Sequence, residues 1–114
     1  MGKTLVDLVG RRLSSVEFVQ DYIQLRFDGP CLTVNARISV EAGSARVLSG
    51  GTGFCDALCG AIGKSVAQVK HVPSDHLDIV LEDLVTITVS LRDEDQVSPE
   101  AAVLSFDRDT VVVG

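Results

Sequence analysis

Tryptophan is absent from this sequence, and aromatic residues of any kind make up only 4% of it. The hydrophobic residues, which are 46% of the chain, are therefore mainly valine, leucine and isoleucine. The β-branched members of this set favour strands, because their side chains pack well on a pleated sheet. A chain of 114 residues is long enough for one hydrophobic core and too short for two. The composition thus predicts one domain, residues 1–114, with an aliphatic and mainly β core.

Long apolar runs are also missing, since no stretch approaches the ~20 consecutive apolar residues that a membrane-spanning helix requires. The first ten residues, MGKTLVDLVG, contain one lysine and no apolar run long enough for a secretory signal. The three cysteines are an odd number, and their spacing fits no disulfide framework. We therefore expect a cytoplasmic protein with reduced thiols and no membrane partner.

Basic residues are scarce relative to acidic ones. Lysine and arginine total 10, aspartate and glutamate total 16, and the formal net charge is −6. Arg11 and Arg12 form the only cluster of positive charge, and two residues are too few to attract a phosphate backbone. We predict no nucleic-acid partner. The charge is compatible with a cationic protein partner, although acidity also serves solubility alone.

One pattern occurs twice in the chain. The segment LVDLVGRRLSSVEFV, which begins at Leu5, aligns with LCGAIGKSVAQVKHV, which begins at Leu58. The offset is constant, so that Gly10 aligns with Gly63. One extra residue, Ser74, then keeps the following strands in alignment. An internal repeat of this kind indicates two copies of one supersecondary unit.

Each copy has the pattern of a short helix that ends at a glycine and is followed by three strands. In the first strand, Leu13 and Val19 have a parity that Val16 does not share. The second copy has the same irregularity, which predicts a β-bulge in both. The other strands alternate between apolar and polar side chains, as half-buried strands do. We predict helices at 3–9 and 54–62, with strands at 11–19, 22–27, 32–40, 65–72, 76–82 and 85–91.

A single unit of this kind cannot bury its apolar face, whereas two units packed together can. We therefore predict a mainly β (α+β) fold in which two units, each a short helix plus a three-strand antiparallel meander, pack as a sandwich or partly open barrel. The units span about 3–40 and 54–91, and a C-terminal hairpin follows at about 101–113. The last strand is apolar, so it should extend a sheet edge, within the chain or across a homodimer.

Two glycine-containing segments resemble anion sites. Gly63-Lys64-Ser65 looks like the end of a P-loop, but position 58 is leucine where that motif needs glycine, and a helix precedes it where a strand should. The repeat explains Gly63 as a helix end. The loop Gly50-Gly51-Thr52-Gly53 opens onto a helix whose N–H groups could hold an anion. A flexible connector between the two copies is the simpler interpretation, and we predict no nucleotide site.

Cysteine and histidine side chains raise the question of a metal or catalytic site. Cys55 and Cys59 lie four residues apart, with His71 and His76 downstream, but this is not the spacing of a zinc finger. We interpret the two cysteines as small core residues. His76 beside Asp75 could act as a general base, but no nucleophile is adjacent in the sequence and a hairpin turn is the simpler interpretation. We predict no metal ion, cofactor or catalytic residue.

Two groups of residues remain as candidates for binding. Acidic side chains from two loops near the C-terminus could form a face for a cationic protein: Asp93, Glu94, Asp95, Asp107 and Asp109. Phenol and imidazole side chains could line a small-molecule site between the two copies: Tyr22, His71 and His76.

Three patterns in the chain occur together: L-x-x-L-[VI]-G-[RK]-x-[LV]-x-x-V, a strand of the form D-x-[IL]-x-[LI]-x-[FL]-[DE], and the segment SPEAAV at 98–103. In these patterns, which span most of its length, the chain resembles small uncharacterised bacterial proteins with a repeated helix–meander unit. Some proteins of this general kind are encoded among toxin–immunity systems. The resemblance implies a bacterial cytoplasmic binding protein and implies no catalytic or binding residue.

Three functions stay open on these grounds. The first is a non-enzymatic protein-binding module, such as an immunity protein, that uses the acidic face. The second is a small-molecule binder or an enzyme with a site between the copies. The third is a structural protein that self-associates through strand edges near Val111–Val113. We predict the first, because the chain is small and acidic and has no catalytic motif.

Overall fold

The computed structural model describes residues 4–20, 22–92, 101–107 and 109–113. Its helices are a one-turn 3₁₀ helix at Leu5–Leu8 and α1 at Phe54–Cys59. Its strands are β1 (Leu13–Val19), β2 (Tyr22–Phe27), β3 (Cys31–Val34), β4 (Ile38–Ala42), β5 (Ala45–Leu48), β6 (Val66–Val72), β7 (His76–Leu81), β8 (Val85–Ser90), β9 (Ala102–Ser105) and β10 (Thr110–Val113).

These strands form two antiparallel sheets of five strands each. Sheet I has the order β1-β2-β3-β9-β10, and sheet II has the order β5-β4-β8-β7-β6. Apolar side chains from both sheets form one aliphatic core, in which Leu25, Leu32 and Ile79 are fully buried. The described strands close no barrel, because each sheet keeps two edge strands. The predicted mainly β architecture of two packed meanders is confirmed.

The first strand of each copy bulges at the same place. The register of β1 against β2 shifts between Leu13 and Ser15, and the register of β6 against β7 shifts between Val66 and Gln68. These are equivalent positions in the two copies. The irregular alternation in the sequence is therefore the bulge itself, as predicted, because an extra residue reverses the side-chain parity of the strand beyond it.

The two copies meet at the corners between helix and first strand. The Gly10 N–H donates to the Val66 carbonyl (2.8 Å), and the Gly63 N–H donates to the Leu13 carbonyl (2.7 Å). These two hydrogen bonds are reciprocal, since each glycine is equivalent to the other and so are the two acceptors. The copies are thus related by a pseudo-twofold axis that passes through this contact.

A single antiparallel bridge between Arg12 and Ser65, again equivalent positions, lies at the centre of this contact. Gly10 and Gly63 flank it with φ angles of +89° and +98°. Nothing lies within 4 Å of a Cβ built on either glycine. Backbone conformation, rather than lack of space, therefore requires glycine at both corners.

The predicted strand at 32–40 is wrong in extent. It is two strands, since β3 ends at Val34 in sheet I and β4 begins at Ile38 in sheet II. The alternation gave no sign of the break because both sheets face the same core. Leu32 and Val34 point inward from one sheet, and Ile38 and Val40 point inward from the other with the same parity.

The second copy makes the same change of sheet between β8 and β9. As a result β4 pairs with β8 of the other copy, and β9 pairs with β3. Each copy therefore donates a hairpin, β4–β5 or β9–β10, to the sheet that the other copy begins. The predicted C-terminal hairpin is β9–β10, and it extends sheet I within the chain. Its outer strand exposes Val112, and pairing with a second chain there remains a prediction.

Candidate binding site

The outer face of sheet II is polar along its central strand. In β8 the side chains of Val85, Ile87 and Val89 are buried in the core, whereas those of Thr86, Thr88 and Ser90 point outward and are half-buried. This alternation was predicted from the sequence. It places a stripe of small hydroxyl side chains between two strands that carry larger charged ones.

The hydroxyl stripe is the floor of a shallow depression of about 600 Å³, which we call the polar trough. Its positive charges are those of Arg37, Arg46, Lys70 and Arg92. Its negative charges are those of Glu41, Asp75 and Asp78. In a chain of net charge −6, this face is an exception, because its described residues carry both signs with a small excess of positive charge.

A hydrogen-bonded network holds one end of the polar trough. His76 Nδ1 lies 2.5 Å from Asp75 Oδ2, and His76 Nε2 lies 3.6 Å from Asp78 Oδ2. Arg92 contacts the other oxygen of Asp75, with Nε and Nη2 each at 3.1 Å. The Thr88 hydroxyl donates to Asp78 Oδ1 over 2.7 Å. The imidazole ring is therefore fixed between two carboxylates that are themselves held by neighbours.

The carboxylate of Asp75 accepts from two donors, and this changes its acidity. The hydrogen bond from His76, followed in size by that from Arg92, holds the pKa of Asp75 below its usual value of 3.8. Asp75 is half-exposed, so water screens part of this interaction. The network keeps these charges in defined positions.

The contacts of the His76 ring differ from those of a histidine that acts as a general base. A histidine that serves as general base needs one ring nitrogen on a nucleophile or substrate, whereas both ring nitrogens of His76 face carboxylates. The nearby Thr88 hydroxyl is held by Asp78. Within residues 4–20, 22–92, 101–107 and 109–113, no three His, Cys, Asp or Glu side chains form a group that could hold a metal ion.

The three residues predicted to line one small-molecule site do not come together. His76 lies in the polar trough, Tyr22 lines a cleft beside α1, and His71 lies near the Val111–Val113 strand. Tyr22 and His76 are equivalent residues, each at the start of the second strand of its meander. Equivalent positions on outward faces of different sheets cannot converge, because the pseudo-twofold axis places them on opposite sides.

The predicted acidic face can be located only in part. Asp107 is exposed and Asp109 is half-buried at the turn between β9 and β10, where the Phe106 N–H donates to the Asp109 carbonyl (2.8 Å). Asp93, Glu94 and Asp95 lie outside the described residues. A single acidic face formed by all five therefore remains a prediction.

The interpretation of the helix cysteines as small core residues is wrong. Cys55 and Cys59 are both exposed, while Cys31 is half-buried in β3. Helix α1 turns Phe54 and Leu58 into the core. Cys55 and Cys59 each follow one of these buried residues, so a rotation of about 100° per residue places both on the solvent side of the helix. The predicted helix also ends earlier, at Cys59 rather than residue 62.

Most residues that line the polar trough were not predicted from the sequence. Arg37, Lys70, Thr88 and Arg92 were not candidates, because they lie far apart in the chain and belong to no motif. The available signal was the run Thr86-x-Thr88-x-Ser90 opposite a strand carrying His76 and Asp78. Polar residues on alternate positions of two neighbouring strands share a face of the sheet.

Comparison of the chain with protein-family models, with curated proteins and with solved structures found no match. Neither of the two described helices is long and apolar enough to cross a membrane.

Proposed function

We propose that this chain is a non-enzymatic binding module that recognises a protein partner through the polar trough. The observation that carries the proposal is the set of charges of both signs, held over a floor of hydroxyl groups on an open sheet face. Fixed charges of this kind give specificity and speed the association of complementary surfaces.

The shape of the trough favours a protein over a small molecule at this face. Small-molecule sites enclose about 70–90% of their ligand and are mostly apolar. The trough is instead the solvent face of a sheet, and its central side chains are half-buried hydroxyls. A polar surface with charges of both signs fits the rim-like chemistry of protein interfaces. The resemblance to proteins encoded with toxins makes a toxin the first partner to test.

The internal repeat supplies a matched pair of variants for this test. Thr88 lies opposite Asp78 in sheet II, and Thr33 lies opposite Gln24 in sheet I. Both threonines are half-buried, point outward and occupy equivalent positions. An arginine at either position should cost similar stability, but only Thr88→Arg fills the polar trough.

The wild-type chain, Thr88→Arg and Thr33→Arg are immobilised separately and exposed to lysate of the native host, and retained proteins are quantified by mass spectrometry. We expect a protein that the wild type and Thr33→Arg retain and Thr88→Arg loses. Circular dichroism and thermal unfolding establish that both variants fold. If the two variants lose the same proteins, or the wild type retains none above a blank matrix, the proposal is wrong.

A further inference from the structure

The inner face of sheet I is open to solvent at one end. Phe18, Ile23 and Val34 lie side by side across β1, β2 and β3. Phe18 has the inward parity of Val16, which packs against the core. Val34 in this row is 1% exposed, yet Phe18 is 43% exposed. The apolar interior therefore reaches the surface along this row.

The opposite wall of the opening comes from the segment that leads into α1. Phe54 and Cys55 of the helix and Ser49 and Gly50 before it face the sheet I row, and Tyr22 completes the rim. The space between these walls, which we call the aromatic cleft, is open to solvent and has a volume of about 490 Å³. This volume lies within the range of roughly 300–1,000 Å³ that is usual for small-molecule sites.

The equivalent place in the second copy is a smaller space of about 310 Å³, where His71 is exposed beside the Val111–Val113 strand. There His71, Leu77 and Val89 form the corresponding row across β6, β7 and β8. Leu77 and Val89 are both fully buried, and the end residue is a histidine rather than a phenylalanine. The first copy thus exposes an aromatic ring where the second presents a polar one. Because Phe18 is partly exposed, the fold forgoes part of the stabilisation that burying its side chain would contribute.

The charge of the aromatic cleft is opposite to that of the chain. Arg37 is the only charged side chain among the described residues that line it, and Gln20, Asn35 and Ser49 add neutral polar groups. A guanidinium has five N–H donors, so it can hold a carboxylate or sulfonate through two of them while it keeps another contact. Aromatic walls with one arginine favour a ligand that has a ring at one end and a negative charge at the other.

We propose that the aromatic cleft binds a small aromatic organic acid. The ring of the ligand lies against Phe18 and Phe54 with Tyr22 at its edge, and its acid group pairs with Arg37. Arg37 also lines the polar trough, so the two sites share this one side chain. The aromatic probe, the Cys55 alkylation and the Phe18 variant report on the cleft alone, so their failure is distinct from a failure to find a protein partner.

The test uses the folded chain and a pair of probes that differ in one group. 8-Anilinonaphthalene-1-sulfonate has the aromatic body and the negative charge, and N-phenyl-1-naphthylamine has the same rings without the sulfonate. Their fluorescence gives binding curves against a low background, because the chain has no tryptophan and Tyr22 is its single tyrosine. We expect saturable one-to-one binding of the sulfonate, at least about tenfold tighter than that of the neutral probe.

Two exposed thiols on one helix give an internal control that needs no substitution. Cys55 lines the aromatic cleft and Cys59, one turn later, does not. The bound sulfonate should slow iodoacetamide alkylation of Cys55 severalfold and leave Cys59 unchanged, as measured by mass spectrometry. Equal protection of both thiols, or protection of neither, would overturn the proposal even if every variant failed to fold.

Two variants then test which residues contact the ring of the ligand and which contact its acid group. Phe18→Ser should weaken the sulfonate at least about tenfold, whereas Val72→Ser, which changes a side chain of similar exposure outside the cleft, should not. Arg37→Gln should weaken the sulfonate and leave the neutral probe unaffected, with Arg46→Gln as its control. Unchanged binding to Phe18→Ser contradicts the site, and equal affinity for the two probes contradicts the choice of an acid.

Discussion

At the scale of single residues, the hydrogen bonds to the Asp75 carboxylate make the stability of the fold depend on pH. Its pKa is held below the usual value of 3.8 by the hydrogen bonds from His76 and Arg92. A carboxyl group with a depressed folded-state pKa stabilises the fold at pH above its unfolded pKa. That contribution is lost as the pH falls through the folded-state pKa. Stability should therefore decline below about pH 4 in part because Asp75 becomes protonated.

Replacing the arginine tests this relation. In Arg92→Gln the pKa of Asp75 should rise toward its usual value, and the loss of stability on acidification should become less steep. Urea unfolding between pH 2 and pH 6, together with NMR titration of the Asp75 carboxyl, measures both effects. Arg26→Gln is the control, since it removes an exposed ion pair with Glu17 (3.5 Å) in sheet I. An Asp75 pKa that is the same in both variants would contradict the prediction.

At the scale of secondary-structure elements, α1 shows that adjacent residues of one short helix have different roles. Leu58 is fully buried in the core, while Cys59, the next residue, is exposed. Leu58→Ala should lower the free energy of unfolding by about 2–5 kcal/mol, because it removes buried methyl groups and leaves a cavity. Cys59→Ala should change it by less than about 0.5 kcal/mol. Urea denaturation of both variants at one pH measures the difference, and equal costs would mean that the helix presents another face.

Some features of the strands could be predicted from the sequence, and others could not. The bulges at Leu13 and Val66 were predictable because side-chain parity is a local property of a strand. The crossover between β3 and β4 was not, because Val34 and Ile38 are buried with one parity in two different sheets. A pattern of burial reports that a side chain faces the core, and it does not report from which side.

The candidate sites were less predictable than the strands for a related reason. His76 was recognised as a candidate from its residue type. The side chains that surround it, such as Arg92, come close to it only through strand pairing and tertiary contacts. Phe18 carried no signal at all, since an inward-facing phenylalanine in a strand predicts core and not the mouth of a cleft. Partners that depend on long-range packing are not encoded in local periodicity.

At the scale of the whole molecule, the exchange of hairpins makes each copy incomplete without the other. Sheet II needs β4–β5 from the first copy, and the second copy places its own β9–β10 in sheet I. A chain of residues 54–114 alone would leave both the edge of β8 and its own hairpin unpaired. Unpaired strand edges readily accept another chain.

We therefore expect residues 54–114 to form a twofold dimer in which each chain donates its hairpin to the sheet of the other. Multi-angle light scattering should give twice the fragment mass, and circular dichroism should show the β content of the full chain. The isolated fragment with Gly63→Ala should dimerise more weakly, because the backbone at this corner has positive φ. A folded monomer of the fragment would contradict the prediction.

The reciprocal contact between Gly10 and Gly63 makes this chain the covalent counterpart of a homodimer. Two separate half-length polypeptides related by a true twofold could form the same hydrogen bonds and exchange the same hairpins. In such a homodimer every side chain would occur on both sides, whereas in one chain each half differs from the other. One half carries the charges around His76, and the other exposes its interior beside Phe18.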